Sequence, residues 1–157
     1  RGMRSGTLYT PQIVGFGKAV EIAIAEQETE NKRLTELRSR LWQQLSNVEG
    51  VYLNGHPQKR LTGNLNISIE DVDGAALSLG LQSVVAVSSG SACSSHNIAP
   101  SYVLKALGHS DQLAYASVRF GIGRFNTVEE IDQVAQQVIS TVQGLRSASD
   151  RFTPIQN

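Results

Sequence analysis

Apolar residues recur at steps of three and four between residues 13 and 48, and this periodicity constrains the fold more than any other feature. Such spacing is typical of a helix with one buried face. Thr10 and Pro11 predict its start, as a candidate N-cap followed by a proline at the first helical position. The stretch EQETENKR at 26–33 is almost wholly polar. One long helix would therefore have its centre in water and its ends packed against different bodies, and a bend or break is the alternative.

The rest of the chain alternates short strands with helices. LTGNLNISI at 61–69 has the apolar alternation of a strand with one buried face. Three further strands are predicted in VYLNG after Gly50, VVAVS at 84–88 and LAYASVRFGIG at 113–123. Helices are predicted after the cap Asp73, at Pro100 and after the capping box of Thr127 and Glu130. The order α-β-β-α-β-α-β-α predicts an α+β fold, a small mostly antiparallel sheet covered by helices and preceded by the long helix.

Composition excludes several classes of protein. With 157 residues and 40% hydrophobic content, the chain has the size of one domain with a real core. Because 14 basic residues balance 14 acidic ones, neither a nucleic acid nor an anionic membrane is expected as a partner. No apolar run reaches the roughly 18 residues that span a bilayer. The apolar pattern begins almost at the first residue, which is Arg, so we expect the chain to be part of something longer.

The chain has one cysteine, Cys93, within SSGSACSSHN at 88–97. A single thiol excludes a disulfide framework and a zinc site of several thiolates, and it favours a reducing compartment. A lone cysteine is usually a small core residue, but a run of serines and glycine offers little apolar surface and predicts a solvated, flexible loop. An accessible thiol there suits a nucleophile or sulfur carrier. His96 lies close by, yet a mobile loop would not hold it in register as a base.

Other polar residues have two interpretations each. Arg119 lies among small and apolar residues. It is either a solvent-exposed arginine on the surface or on an edge strand, or an arginine whose planar guanidinium binds a carboxylate. RSGT at 4–7 is either a capped loop or a phosphate-binding segment. Arg124 is predicted to pair with the acidic start of the helix that follows. His56 and His109 are expected to face solvent, and no Asp, Glu and His cluster suggests a metal site.

Four segments together resemble one family. SSGSACSS, PSYVLKALG, VRFGIGRFNTVEEID and the opening RGMRSGT are similar to the C-terminal part of the bacterial cysteine desulfurases that supply sulfur for iron–sulfur clusters. The resemblance runs from Arg1 to about Leu145, and the combination is highly specific. It implies a cytoplasmic, homodimeric fold-type I enzyme that uses pyridoxal phosphate. Such an enzyme converts L-cysteine to L-alanine and passes the sulfur, as a persulfide, to an iron–sulfur scaffold protein and other acceptors.

The resemblance also implies roles for three residues. Cys93 matches the nucleophile that carries the persulfide, and it would be the ligand in any transient iron–sulfur cluster. Arg119 matches the arginine that holds the substrate carboxylate, and Thr7 matches a threonine that reaches across the dimer to the cofactor phosphate. The chain is expected to divide into four segments. These are the end of a cofactor-domain segment at 1–10, a linking helix at 11–49, a small domain at 50–146 with a mobile cysteine loop at 88–99, and a tail at 147–157.

One departure concerns the cofactor. The family's cofactor lysine follows a histidine in an N-terminal region, and none of the lysines here has that context: Lys18, Lys32, Lys59 and Lys105. By itself the chain is therefore expected to be inactive. A non-enzymatic persulfide relay and a scaffold-binding module with an incidental thiol are the alternatives.

Overall fold

The structure, a computed structural model, describes residue 2, residues 5–89 and residues 100–151. These residues form an α+β fold with a four-stranded antiparallel sheet, as predicted. Helices and strands follow in the order α1 Thr10–Leu45, β1 Val51–Leu53, β2 Asn64–Ile69, α2 Gly74–Leu81, β3 Ser88–Ser89, α3 Tyr102–Ala106, α4 Asp111–Tyr115, β4 Ser117–Gly121 and α5 Val128–Arg151.

The first helix is continuous through the polar stretch at 26–33. It has 36 residues, with Pro11 in its first turn, and so is about 54 Å long. Leu37, Leu41 and Leu45 are buried at steps of four, whereas residues 10–29 are all exposed. The alternative of a break is therefore wrong, and only the C-terminal part of α1 joins the core. Within the described parts of the chain, no helix is long and apolar enough to cross a membrane.

The sheet has the strand order β1-β2-β4-β3. Pairing of β2 with β4 sets Leu65 opposite Phe120 and Ile67 opposite Val118, and all four side chains are buried. Because side chains alternate between the two faces of a strand, this register gives the central strands one apolar face. That face packs on α1, α2 and α5 in a single cluster of buried residues.

The last helix, α5, joins the core along one stripe. Ile131, Ala135, Val138 and Val142 are buried at steps of three and four, as the periodicity predicts. Thr127 and Glu130 form the expected capping box, in which each residue accepts a hydrogen bond from the other's backbone N–H, at 3.1 and 3.3 Å. The helix continues to Arg151, five residues into the segment that the sequence assigns to a tail.

An ion pair also joins α5 to α1. The Arg40 guanidinium donates to both carboxylate oxygens of Asp132, at 2.6 and 2.8 Å, and Gln44 donates to the first of them. These hydrogen bonds, chiefly the one from Arg40, lower the pKa of Asp132. The stabilisation from Asp132 is therefore present above the carboxyl's unfolded pKa and is lost as pH falls through its folded pKa.

Two predicted strands are wrong in part. Backbone N–H groups of Val84 and Val85 both bond to the carbonyl of Leu81, so the chain is still turning there and pairs only at Ser88–Ser89. Residues 111–115 form the short helix α4 because the Ser110 hydroxyl accepts the N–H of Leu113 as an N-cap. The strand that the sequence places at 113–123 is accordingly confined to Ser117–Gly121.

We expect Leu41→Ala to lower the free energy of unfolding of the 157-residue chain by about 2–5 kcal/mol, because it leaves a cavity in the core. Leu41 is 1% exposed, whereas Ile24 on the same helix is 71% exposed. Ile24→Ala should therefore change the same quantity by less than about 0.5 kcal/mol when both proteins are measured as monomers. Urea denaturation measures both variants, and equal losses would contradict the division of α1 into a packed part and an exposed part.

Candidate functional site

Arg119 lies on the polar face of the sheet, opposite the core. Its neighbours in β4, Val118 and Phe120, are buried, while its own side chain is exposed. Its partner across β2 is Asn66, and its partner across β3 is Ser88. Because β4 lies between β2 and β3, the prediction of an edge-strand arginine is wrong. The guanidinium instead has a polar cross-strand neighbour on each side.

The side chain of Arg119 contacts the strand that leads towards the cysteine. Its Nη2 donates a hydrogen bond of 3.2 Å to the Ser88 hydroxyl. The sequence assigns Ser88 and Ser89 to a mobile loop at 88–99, but these two residues are paired with β4. Cys93 and His96 lie outside the described residues. The structure thus places the last described residues before Cys93 directly beside Arg119.

On the other side of Arg119, a buried amide holds Asn66. Asn54 is 5% exposed, and its Nδ2 donates to Asn66 Oδ1 at 2.6 Å and to Ser68 Oγ at 2.9 Å. The Arg60 guanidinium in turn donates to the Asn54 carbonyl at 2.9 Å. Asn66 is not among the residues predicted from the sequence, although the alternation of Leu65 and Ile67 in β2 places it on the polar face.

The turn after β4 is bound to α1 by arginine. Arg33 of α1 donates to the carbonyl oxygens of Gly123, Arg124 and Asn126. Planar guanidinium groups suit several acceptors at once, so this contact fixes the turn. Arg33 is likewise not predicted from the sequence, because it binds backbone carbonyls and no side-chain pattern indicates them.

Arg124 pairs with α1 rather than with the acidic start of α5, so that prediction is wrong. Its guanidinium contacts carboxylate oxygens of Glu26 at 2.7 Å and Glu30 at 2.8 Å. Glu130 at the start of α5 accepts hydrogen bonds from Asn126 and from the Thr127 N–H instead. These bonds lower the pKa of Glu130, with the Asn126 amide as the largest cause.

Thr7 lies at the opposite end of the chain's long helix from the sheet. It precedes α1 and is exposed. Between Thr10 and Arg33, which contacts the turn after β4, the helix rises by about 35 Å. One copy of the chain therefore does not bring Thr7 and Arg119 into one site through α1.

Among the described residues, the histidines form no further site. The His56 ring accepts backbone N–H groups of Gln58 and Lys59 through Nδ1, and it is exposed as predicted. His109 is half-buried and so faces solvent only in part. Among the residues with described placement, no group of three or more His, Cys, Asp and Glu is arranged to hold a metal ion.

The described residues alone do not fit pyridoxal phosphate. All four lysines are exposed, and two of them form surface ion pairs, Lys18 with Glu21 and Lys105 with Asp111, each at 2.8 Å. A groove between α2, α4 and α5 has Asp71 and Asp73 in its lining and no lysine or arginine, so it does not suit a phosphate. A cofactor site needs residues beyond these.

The aminotransferase class-V family model matches residues 1–134. The chain belongs to this family. It is 49% identical to the cysteine desulfurase IscS of Shewanella pealeana over 149 residues, which are 95% of this chain and 37% of that protein. The same identity and coverage hold for the cysteine desulfurase IscS of Shewanella loihica. The chain thus spans 37% of the length of these curated relatives.

Solved structures agree with the fold. A NifS-like protein superposes with a TM-score of 0.78 and 29% identity, over 92% of this chain and 36% of that one. A NifS-like protein from Rickettsia africae gives a TM-score of 0.77 and 25% identity, over 89% of this chain and 36% of that one. The predicted resemblance to cysteine desulfurases is confirmed, and so is the fold class. Class-V aminotransferases and cysteine desulfurases are pyridoxal-phosphate enzymes.

We expect the isolated 157-residue chain not to attach pyridoxal phosphate to a lysine, because its four lysines are solvated surface groups. The chain would be mixed with one equivalent of cofactor and treated with borohydride, and its peptides analysed by mass spectrometry. The complete protein that contains this chain is the positive control. Stoichiometric labelling of Lys18, Lys32, Lys59 or Lys105 would contradict the expectation.

Proposed function

We propose that this chain is the C-terminal part of a cysteine desulfurase, which converts L-cysteine to L-alanine and carries the sulfur as a persulfide on Cys93. The observation on which this depends is Arg119, an exposed cation on the polar sheet face, hydrogen-bonded to the strand residue that precedes the cysteine segment. The 49% identity to enzymes of that name supports the same reaction.

Arg119 would bind the carboxylate of L-cysteine. A guanidinium presents parallel N–H donors that match both oxygens of a carboxylate. One donor atom, Nη2, already bonds to Ser88, and the side chain remains exposed on the polar face. Gly121, two residues further along β4, adds no side chain to that face, so a small substrate could approach the strand.

Cys93 would receive the sulfur. In the net reaction, an S–S bond forms between the Cys93 sulfur and the substrate sulfur while the substrate C–S bond breaks. The carbon that loses sulfur takes a proton and becomes the methyl group of alanine, so that no external oxidant or reductant is needed. In this proposal, Arg119 on β4 recognises the substrate, and the acceptor thiol follows β3 by a few residues in the sequence.

A homodimer would reconcile the positions of Thr7 and Arg119. Because about 35 Å of helix separates Thr10 from the turn after β4, Thr7 would serve the cofactor phosphate in the site of a second copy. The exposed half of α1 supports this arrangement, since Ile13, Phe16 and Ile24 are 53%, 71% and 71% exposed in a single copy. Large apolar side chains in such number mark a contact surface.

The remaining assignments follow from the same proposal. The sulfur acceptors would be an iron–sulfur scaffold protein and other sulfur-accepting proteins, with Cys93 as a ligand in any transient cluster, and the compartment would be the cytoplasm. The segments would be the end of the cofactor domain at 1–10, a linking helix at 11–49, a small domain at 50–146 with the cysteine loop, and a tail at 147–157. Neither a nucleic acid nor a membrane has a role in this proposal.

The surface position of all four lysines favours a second candidate function. A chain without a cofactor lysine would act as a persulfide relay that receives sulfur from another protein, or as a scaffold-binding module whose thiol is incidental. The two candidates differ in one observable, because only the desulfurase requires a cofactor-bearing lysine in the same polypeptide. Sequencing the complete transcript decides between them.

We expect Cys93→Ser in the complete protein to retain pyridoxal phosphate and bind L-cysteine but to form no persulfide, because a hydroxyl is a far poorer sulfur acceptor than a thiolate. Mass spectrometry after incubation with L-cysteine measures the added sulfur. Ser89→Ala is the control, because it changes a residue four positions before Cys93 and keeps the thiol. This variant should gain sulfur as the wild type does. Added sulfur on the Cys93→Ser protein would remove this residue from the proposed reaction.

We expect Arg119→Ala in the complete protein to weaken transition-state and substrate binding by about 2–4 kcal/mol, since a bidentate contact with the carboxylate is lost. Steady-state alanine formation gives kcat/KM for L-cysteine. Lys32→Ala, which removes an exposed cation from α1, should leave kcat/KM within about twofold. An unchanged kcat/KM in Arg119→Ala would show that the arginine is not the carboxylate ligand.

A further inference from the structure

We propose that Ser88 is a positioning residue, which holds the guanidinium of Arg119 in the orientation that receives the substrate carboxylate. The inference rests on the proposed function of Arg119. Ser88 itself needs no contact with substrate, because its hydroxyl acts through the hydrogen bond of 3.2 Å from Arg119 Nη2.

The sheet fixes the position of the Ser88 hydroxyl. Ser88 is the direct ladder partner of Arg119, and Ser89 is the partner of Val118, whose side chain is 1% exposed in the core. Directly opposed residues of antiparallel strands have Cβ atoms roughly 5 Å apart, so a short hydroxyl reaches the arginine side chain without displacing the backbone. The acceptor is therefore held by strand pairing and not by a surface side chain with its own freedom.

Arginine needs such a partner more than other residues would. Its long side chain has many rotamers, and its N–H donors lie in one plane, so a carboxylate is bound by two parallel bonds only when that plane is correctly oriented. A hydroxyl acceptor on Nη2 restricts the plane before substrate arrives. Ordering in advance reduces the entropy that binding would otherwise lose.

The other neighbour of Arg119 supports the same geometry. Asn66 stands across β2, and its amide oxygen is engaged by the buried Asn54 at 2.6 Å. Arg119 therefore lies between an asparagine that accepts a hydrogen bond from the buried Asn54 and a serine that accepts one from Arg119 Nη2. Of these two neighbours, Ser88 is the one with a hydrogen bond to the guanidinium.

A matched pair of variants separates the hydroxyl from the shape of the side chain. Threonine and valine have the same β-branched form and both suit strands, but only threonine keeps the hydroxyl. In the complete protein, we expect Ser88→Val to raise KM for L-cysteine by roughly three- to tenfold, the typical effect of one lost hydrogen bond, with kcat within about twofold. Ser88→Thr should stay within about twofold of the wild type in both constants.

A double variant tests whether the effect passes through Arg119. In an Arg119→Ala background, Ser88→Val should change KM by less than about twofold, because the hydrogen bond is already absent. A merely structural role for Ser88 would persist in that background. Thermal unfolding of each variant accompanies the kinetics, and if Ser88→Val does not fold, Ser88→Ala replaces it in the comparison with Ser88→Thr.

The outcomes distinguish this inference from the proposed function. A wild-type protein that forms no alanine from L-cysteine overturns the proposed function and the role of Ser88 together. An active wild type in which valine and threonine at position 88 give the same KM overturns the role of Ser88 alone. The same holds if the effect of Ser88→Val persists without the Arg119 guanidinium.

Discussion

Burial of Val118 and Phe120 is the constraint on which the candidate site depends. These two residues of β4 pack with Ile67 and Leu65 on the core face, and their burial fixes the register between the central strands. Because side chains alternate, a shift of one residue would turn Arg119 into the core and expose both apolar neighbours. Such a shift would lose the favourable burial of two large apolar side chains and would also bury a charge at a high desolvation cost. The packing of the core therefore keeps Arg119 on the polar face.

The long helix sets where this face stands relative to the start of the chain. Its C-terminal part is fixed in the core by Leu37, Leu41 and Leu45. Arg33 then binds the turn after β4 through three carbonyls, and Arg124 returns from that turn to Glu26 and Glu30. The ion pairs of Arg124 lie near the surface and add little stability individually. Their effect is geometric, because they join the end of the strand that bears Arg119 to the middle of the helix.

The sequence was sufficient where a local physical rule determines the structure. Periodicity predicted the two long helices, alternation predicted the buried face of β2, and short-range hydrogen bonds of Asp73 and of Thr127 with Glu130 determined the caps. Where long-range pairing decides, local rules failed. VVAVS has the residues of a strand, yet only Ser88 and Ser89 reach β4.

The same distinction holds at the site. The alternation of apolar and polar residues along β4 is enough to predict that the Arg119 side chain is exposed. That Asn66 and Ser88 lie beside it depends on which strands pair and in which register. Arg124 was assigned to acidic residues near in sequence, but Glu130 is occupied by its capping box and Glu26 lies within reach through the tertiary fold. Local sequence patterns predict Arg119 as a candidate carboxylate ligand, but they do not predict that Asn66 and Ser88 lie beside it.

The two strands that flank Arg119 differ in length. On one side, β2 contributes a strand of six residues with Leu65, Ile67 and Ile69 buried. On the other, β3 has two residues, both serines, so few ladder bonds hold it. The hydrogen bond from Arg119 Nη2 to the Ser88 hydroxyl adds to the two residue pairs that join β3 to β4. Under the proposed function, a carboxylate bound to the guanidinium would therefore lie next to the residues that lead to Cys93.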